Sequence, residues 1–124
     1  MPATILIIDD EIHIRRLTAR VLELAGYRVI QAASGGQALD LIAETRPDVI
    51  TCDIAMPGMS GFEVLEALQS QPATAKIPVI MLTAIGQETD TAKATALGAV
   101  DYITKPFSST NLIETIQRQL VTHE

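Results

Sequence analysis

Asp9-Asp10, Asp53, Thr83 and Thr104-Lys105-Pro106 each stand directly behind a short apolar run. If folding gathers them, three carboxylates share one pocket with a hydroxyl and an ammonium. Like charges that close are unfavourable and push one another's pKa values up. A divalent cation relieves the conflict. Mg²⁺ suits the set, because it prefers oxygen ligands, keeps several waters and typically takes one or two carboxylates together with a substrate phosphate. Phosphoryl transfer asks mainly for alignment and charge neutralisation, which one metal and one lysine supply. Taken singly, each of these residues reads equally well as a turn or helix-cap residue. The chemistry depends on whether the elements of the fold bring them together.

The apolar runs are Ile5–Ile8, Tyr27–Ile30, Val49–Cys52, Val79–Leu82 and Val100–Ile103. Short β-branched runs bounded by polar or turn residues read as strands. The first, third and fourth are nearly continuous apolar, as central parallel strands are when helices cover both faces. The stretches between them have helical spacing. Ile14, Leu17, Val21 and Leu24 recur at three and four, and so do Leu112, Ile113, Ile116 and Leu120. Ser34 with Gln37 and Ser60 with Glu63 have capping-box spacing, and Ser108 can cap the last helix. Gly26 and Gly98 fall where a helix would end in a left-handed residue. The spacing predicts strands over 4–8, 27–31, 48–52, 78–82 and 100–104. Helices are expected over 11–25, 35–45, 61–69, 86–97 and 109–121.

Strict alternation of strand and helix means a parallel sheet with right-handed crossovers. For five strands the expected fold is α/β, flavodoxin-like and doubly wound, in the order 2-1-3-4-5 with five helices. Its ligand crevice lies at the carboxyl ends of the first and third strands. Those strands are neighbours, roughly 4.8 Å apart, so the acids at 9, 10 and 53 are expected on one edge with Thr83 and Lys105.

Composition sets the limits. The 124 residues are one domain's worth, and 48% hydrophobic content is enough to bury a core. Aromatics are 3% with no Trp, so the core must be aliphatic. Nine Lys plus Arg against fifteen Asp plus Glu give a net charge of -6. That argues against direct nucleic-acid binding, whose affinity comes from neutralising phosphates with Lys and Arg. The single Cys52 makes no internal disulfide and reads as a core residue in a reducing compartment. No apolar run approaches the roughly 20 residues of a membrane span. The start of the chain has neither a basic leader nor a cleavage site, so a cytoplasmic protein without membrane association is expected. His13, His123 and the stripe Arg15, Arg16 and Arg20 read as solvated, and Gly35-Gly36 lacks the lysine and spacing of a P-loop.

Four segments resemble the receiver domains of two-component response regulators, in the same order and over essentially the whole chain. Ile5–Glu11 is similar to that family's opening strand and acidic pair. Asp53–Gly61 is similar to its phosphoacceptor loop, Pro78–Ala84 to its fourth strand with the switch hydroxyl, and Gly98–Phe107 to its fifth strand and lysine-proline turn. The resemblance implies that Asp53 is the phosphoacceptor, with a His kinase or phosphotransfer protein as donor. It implies Mg²⁺ held by Asp10, Asp53 and the backbone carbonyl of Ala55, with Asp9 acting through water. Lys105 would pair with a phosphoryl oxygen, and Thr83 would hydrogen-bond another. Tyr102 would be the switch aromatic that turns inward after Thr83 moves. The output face would be helix 86–97, strand 100–104 and helix 109–121, read by a downstream target protein. A cis Lys105–Pro106 peptide is also implied.

Ala55 and Ile85 are apolar where the family's side chains border the path of the hydrolytic water, so a long-lived aspartyl phosphate is expected. Kinase partners in this family dock near the helix that carries the arginine stripe. The expected protein is a signalling domain over 1–124, not an enzyme beyond self-phosphorylation from small donors and slow autodephosphorylation. A monomer or a phosphorylation-dependent dimer is expected. The initial Met and short tail favour a single-domain regulator. The alternative is a receiver from a longer regulator with a DNA-binding or enzymatic output. An aspartyl-phosphate phosphatase is less favoured, since its second acid would stand where Ala55 does. A binding-only pseudo-receiver would be expected to lack the acid pair, Asp53 or Lys105. A flavin binder would want a Ser/Thr/Gly phosphate loop in place of Asp9-Asp10, and more aromatics.

Overall fold

The structure is a computed structural model that describes residues 2–84 and 88–122. Ile85, His123 and positions 86 and 87 of the expected fourth helix lie outside the described residues. The elements run β1 (Thr4–Ile8), α1 (Ile12–Leu24), β2 (Arg28–Ala32), α2 (Gly35–Thr45), β3 (Val49–Asp53) and α3 (Gly61–Gln69). They continue through β4 (Val79–Ala84), α4 (Glu88–Ala96), β5 (Asp101–Lys105) and α5 (Ser109–Thr122). All neighbouring strands pair in parallel in the order β2-β1-β3-β4-β5. The expected α/β fold and strand order are therefore the observed ones.

Boundaries shift by one or two residues from the expected spans. β3 extends to take in Asp53, and β4 extends past Thr83 to Ala84. Both residues thus sit within the hydrogen-bonded sheet edge, which fixes their backbones more firmly than a loop would. The three central strands are almost wholly buried, as their nearly continuous apolar character requires.

Two aliphatic cores flank the sheet. On one face Ile5, Ile7, Val49, Ile80, Leu82 and Ile103 pack against Ala19 and Leu22 of α1 and against Leu112 and Ile116 of α5. On the other, Leu6, Ile8, Ile50, Cys52 and Met81 meet residues of α2 and α3 and Ala94 of α4. Cys52 is fully buried, and burial pushes its thiol far up, so it is an inert core residue.

Helix ends follow local chemistry. Ser60 accepts from the Glu63 amide while Glu63 accepts from the Ser60 amide, a complete capping box. At α2 the reciprocity is displaced. Ser34 accepts from the Gln37 amide, but the Gln37 side chain accepts from the Ala33 amide. Ser108 caps α5 through the Asn111 amide. Glu11, expected as the first helical residue, is instead the N-cap of α1 and accepts from the His13 amide. Gly26 and Gly98 have φ of 98° and 106°, the left-handed conformation expected behind α1 and α4.

One expectation changes in meaning. Of Ile14, Leu17, Val21 and Leu24 on α1, only Val21 is partly buried against the core, and the other three are exposed. Leu17 is 64% exposed and Leu24 72%, while Thr18, Ala19 and Leu22 are the buried residues. Thr18 meets the core without an unsatisfied hydroxyl because its Oγ1 donates to the Ile14 carbonyl at 2.8 Å.

Candidate functional site

β1, β3 and β5 all end at the same edge of the sheet. Register places Ile8 beside Cys52, Asp53 beside Leu82, and Ala84 beside Lys105. The side-chain period of two then turns Asp9, Asp53 and Lys105 toward the face covered by α1 and α5. Carboxylate oxygens of Asp9, Asp10 and Asp53 lie within 4.8 Å of one another. Lys105 Nζ is 3.0 Å from Asp53 Oδ2 and 3.4 Å from Asp9 Oδ2. The Lys105–Pro106 peptide is cis.

The three acids are not equivalent. Asp9 is 1% exposed and fully engaged, since its Oδ1 accepts from the Glu11 amide at 3.0 Å and its Oδ2 from Lys105. Asp53 is buried, with Lys105 as its hydrogen-bond donor. Asp10 is exposed, and its carboxylate takes no hydrogen bond among the described residues. Burial raises the Asp53 pKa, and the charges of Asp9 and Asp10 add to the rise, while Lys105 opposes it. For Lys105, burial works against the charge, but the hydrogen bond and attraction to Asp53, with Asp9 behind it, carry the pKa above its ordinary value. One ammonium facing three acids leaves the pocket short of positive charge. Clustered oxygen donors with a charge deficit are the ligand set of a hard divalent cation, so these residues fit Mg²⁺.

Beside the acids, Asp53, Ala55, Thr83, Ala84, Asp90 and Lys105 line a cleft of about 410 Å³. Thr83 is buried, and among the described residues its hydroxyl makes only a long 3.5 Å contact to the Ala84 carbonyl. Tyr102 pairs with Met81 in the sheet, which puts it on the same face as Thr83, two residues farther along β4. It is 47% exposed, on the edge strand.

Three features were not singled out in the sequence. Asp90, in the first turn of α4, lines the cleft. Gly61 brings the start of α3 against the end of β3. A Cβ there would overlap the Asp53 carbonyl oxygen and sit 2.8 Å from Ile54 Cα, both backbone atoms that cannot step aside. Its spacing after Asp53 was visible, but its close approach was not. Arg15, read as part of a solvated stripe, instead donates from Nη1 to the Asp9 carbonyl at 2.9 Å. Arg16 and Arg20 are exposed, as is His13.

A second concavity of about 380 Å³ runs between α1 and α5, lined by Ile14, Leu17, Val21, Pro106, Phe107 and Leu112, with Lys105 at its upper end. Lys105 also lines the cleft beside Asp53. No helix among the described residues is long and apolar enough to cross a membrane.

Comparison with known proteins agrees with this geometry. The family model for the response regulator receiver domain matches residues 5–117. The phosphate regulon transcriptional regulatory protein PhoB of Pseudomonas aeruginosa is 44% identical over 117 residues, 94% of this chain and 51% of PhoB. The chain thus spans about half the length of the PhoB relatives it matches. Protein PilH of the same organism is 41% identical over 119 residues, 95% of this chain and 98% of PilH. The chemotaxis protein CheY4 of Vibrio cholerae superposes with a TM-score of 0.91 at 38% identity, covering 97% of this chain and all of CheY4. With the motifs in order, the sheet order matched and the family model spanning nearly its full length, the chain belongs to the response regulator receiver domains of two-component signalling.

Proposed function

We propose that Asp53 accepts a phosphoryl group from a phosphohistidine of a His kinase or phosphotransfer protein. The observation that carries this is the contact of Lys105 with Asp53 at 3.0 Å, inside a cluster of three carboxylates. Asp53 Oδ attacks phosphorus as the bond to the donor nitrogen breaks. Asp53, though buried, lines the cleft, and Lys105 stands ready for a phosphoryl oxygen. A compact ammonium suits that point contact. Thr83, weakly held in the free protein, gives its hydroxyl to another phosphoryl oxygen. Asp10, Asp53 and the Ala55 carbonyl would hold Mg²⁺, and Asp9 would act on it through water. The bound cation supplies charge neutralisation for the phosphoryl oxygens. Asp9 meanwhile keeps Lys105 aimed at the pocket.

Output follows from Thr83. Its movement vacates space on the face it shares with Tyr102, and the tyrosine turns in. The surface of α4, β5 and α5 is thereby reshaped for a downstream target protein. Moving such an equilibrium from 1:99 to 99:1 takes about 5.5 kcal/mol of differential interaction. Charge-assisted hydrogen bonds from Thr83 and Lys105 to phosphate cover much of that. Ala55 offers no group to orient a hydrolytic water, and neither does the side-chain type of Ile85, so the aspartyl phosphate is long-lived. If Ala55→Asn with Ile85→Glu fails to hasten its loss, this part is wrong.

The donor docks through an apolar-faced helix in the groove between α1 and α5. Ile14, Leu17, Val21 and Leu24 repeat at the three-four-three spacing of a helix–helix seam, and Lys105 links the groove to Asp53. The domain works in the cytoplasm as a monomer or phosphorylation-dependent dimer, without contacting nucleic acid or membrane. Because the chain spans only half of PhoB, a second reading holds that it serves a longer regulator with a DNA-binding or enzymatic output.

Acetyl phosphate with Mg²⁺ tests the chemistry. Intact mass should rise by one phosphoryl group with the metal and not after chelation. A gain that persists without any divalent cation would remove the metal from the account.

A further inference from the structure

We propose that Arg15 is a positioning residue for the cation site, acting through the peptide that joins Asp9 to Asp10. This rests on the reading of Asp10 as a ligand.

The geometry is specific. Nη1 of Arg15 donates to the Asp9 carbonyl at 2.9 Å, and Nε donates to Gln31 Oε1 at 3.2 Å. Gln31 stands on β2 opposite Ile7 of β1, so the guanidinium bridges two strands from the first turn of α1. The rest of Asp9 is also held. Its amide donates to the Ala32 carbonyl at 3.1 Å, and its carboxylate is engaged by the Glu11 amide and Lys105. Every polar group of Asp9 therefore has a partner, and Arg15 supplies the one on the carbonyl.

Asp10 differs. Its carboxylate is exposed and takes no hydrogen bond among the described residues. Nothing on its own side chain decides where it points. Its Cα follows the plane of the preceding peptide, and that plane is fixed from its oxygen by Arg15. A planar fork ties a carbonyl and an amide oxygen together with its donors in fixed directions, a direction the rotating donors of a lysine do not impose.

Simple electrostatics gives the opposite expectation. A cationic side chain close to a cation site repels the cation, so removing Arg15 should tighten Mg²⁺ binding. Positioning requires the reverse. The sign of the change separates the two.

The test is a Mg²⁺ titration followed by backbone amide shifts in ¹⁵N-labelled protein, for the parent, Arg15→Ala and Gln31→Leu. Outer groups that orient ligands cost 10–100-fold in metal affinity when lost, so Arg15→Ala should bind Mg²⁺ about tenfold more weakly. Gln31→Leu, which keeps the charge and the helix but frees the fork, should weaken binding by a smaller factor in the same direction. Labelling by acetyl phosphate should fall at limiting Mg²⁺ and recover at saturating Mg²⁺ in both variants. Equal or tighter binding in Arg15→Ala overturns the proposal. If that variant does not fold, unchanged affinity in Gln31→Leu does so. A parent that shows no Mg²⁺-dependent shifts at residues 9–11 and 53–55 overturns the underlying cation site itself.

Discussion

α1 and α5 lie against the same face of the sheet and carry the same apolar repeat, yet they spend it differently. In α5 the repeat faces inward, and Leu112 and Ile116 are buried against the strands. In α1 three members of the repeat, Ile14, Leu17 and Leu24, are exposed, while Val21 is partly buried against the core and the buried residues are Thr18, Ala19 and Leu22. A helix needs an apolar stripe to dock, but a small residue pair and one leucine satisfy that need for α1. The remaining stripe is surplus to folding. Contiguous exposed apolar surface of this kind marks a binding site more often than an accident. The same sheet face thus provides stability on its α5 side and leaves exposed apolar side chains on its α1 side, where the proposed docking would occur, with Asp53 and Lys105 at the carboxyl edge between.

The contrast can be broken at either helix. Ile116→Ala removes a fully buried side chain, and large-to-small changes of this kind cost about 3 kcal/mol. Urea unfolding should show that loss with an unchanged slope. Leu17→Asp on α1 should change stability by no more than about 0.5 kcal/mol, as exposed substitutions do. Its effect should fall on transfer. The rate from a phosphohistidine donor, taken relative to labelling by acetyl phosphate, should drop about tenfold, or about 1.4 kcal/mol. If Leu17→Asp unfolds the domain as Ile116→Ala does, the two stripes are both structural and the distinction fails.

A smaller effect sharpens the account of the edge between them. Burial holds the Asp53 pKa above 3.8, even with Lys105 opposing the rise. The folded state therefore keeps the proton at pH values where the unfolded chain has lost it. Stability falls as pH climbs from 3.8 through the raised pKa, and the cost stays in place above it. Asp53→Asn avoids that cost. It should raise the melting temperature at pH 7, and the gain should shrink as pH is lowered into the ordinary carboxylate range. A variant that is less stable than the parent at neutral pH would mean that the pair with Lys105 outweighs desolvation.

Much of this was legible in the residues. Five apolar runs alternating with helical spacing make 2-1-3-4-5 the usual order to expect; parallel pairing carries Asp9, Asp10, Asp53 and Lys105 to one edge, and the order sets β1 beside β3. The nearly continuous apolar runs before Asp9, Asp53 and Thr83 mark central strands, and central strands end at the crevice. What stayed hidden depends on which surfaces meet. The period of Ile14, Leu17, Val21 and Leu24 defines a face but says nothing of what covers it. Arg15 shares its type and helix with Arg16 and Arg20, and its contacts with the Asp9 carbonyl and with Gln31, sixteen residues away, set it apart. Asp90 enters the cleft through the placement of α4, and Gly61 matters because α3 starts against the Asp53 backbone. Neither approach leaves a periodic trace.

The most direct measurement locates the phosphoryl group. The protein is labelled with acetyl phosphate and Mg²⁺, reduced with borohydride to convert an acyl phosphate to an alcohol, and mapped by peptide mass. Modification at Asp53 alone is the predicted result. Modification at Asp9 or Asp10, or labelling that survives Asp53→Asn, would contradict the assignment of Asp53 as the acceptor.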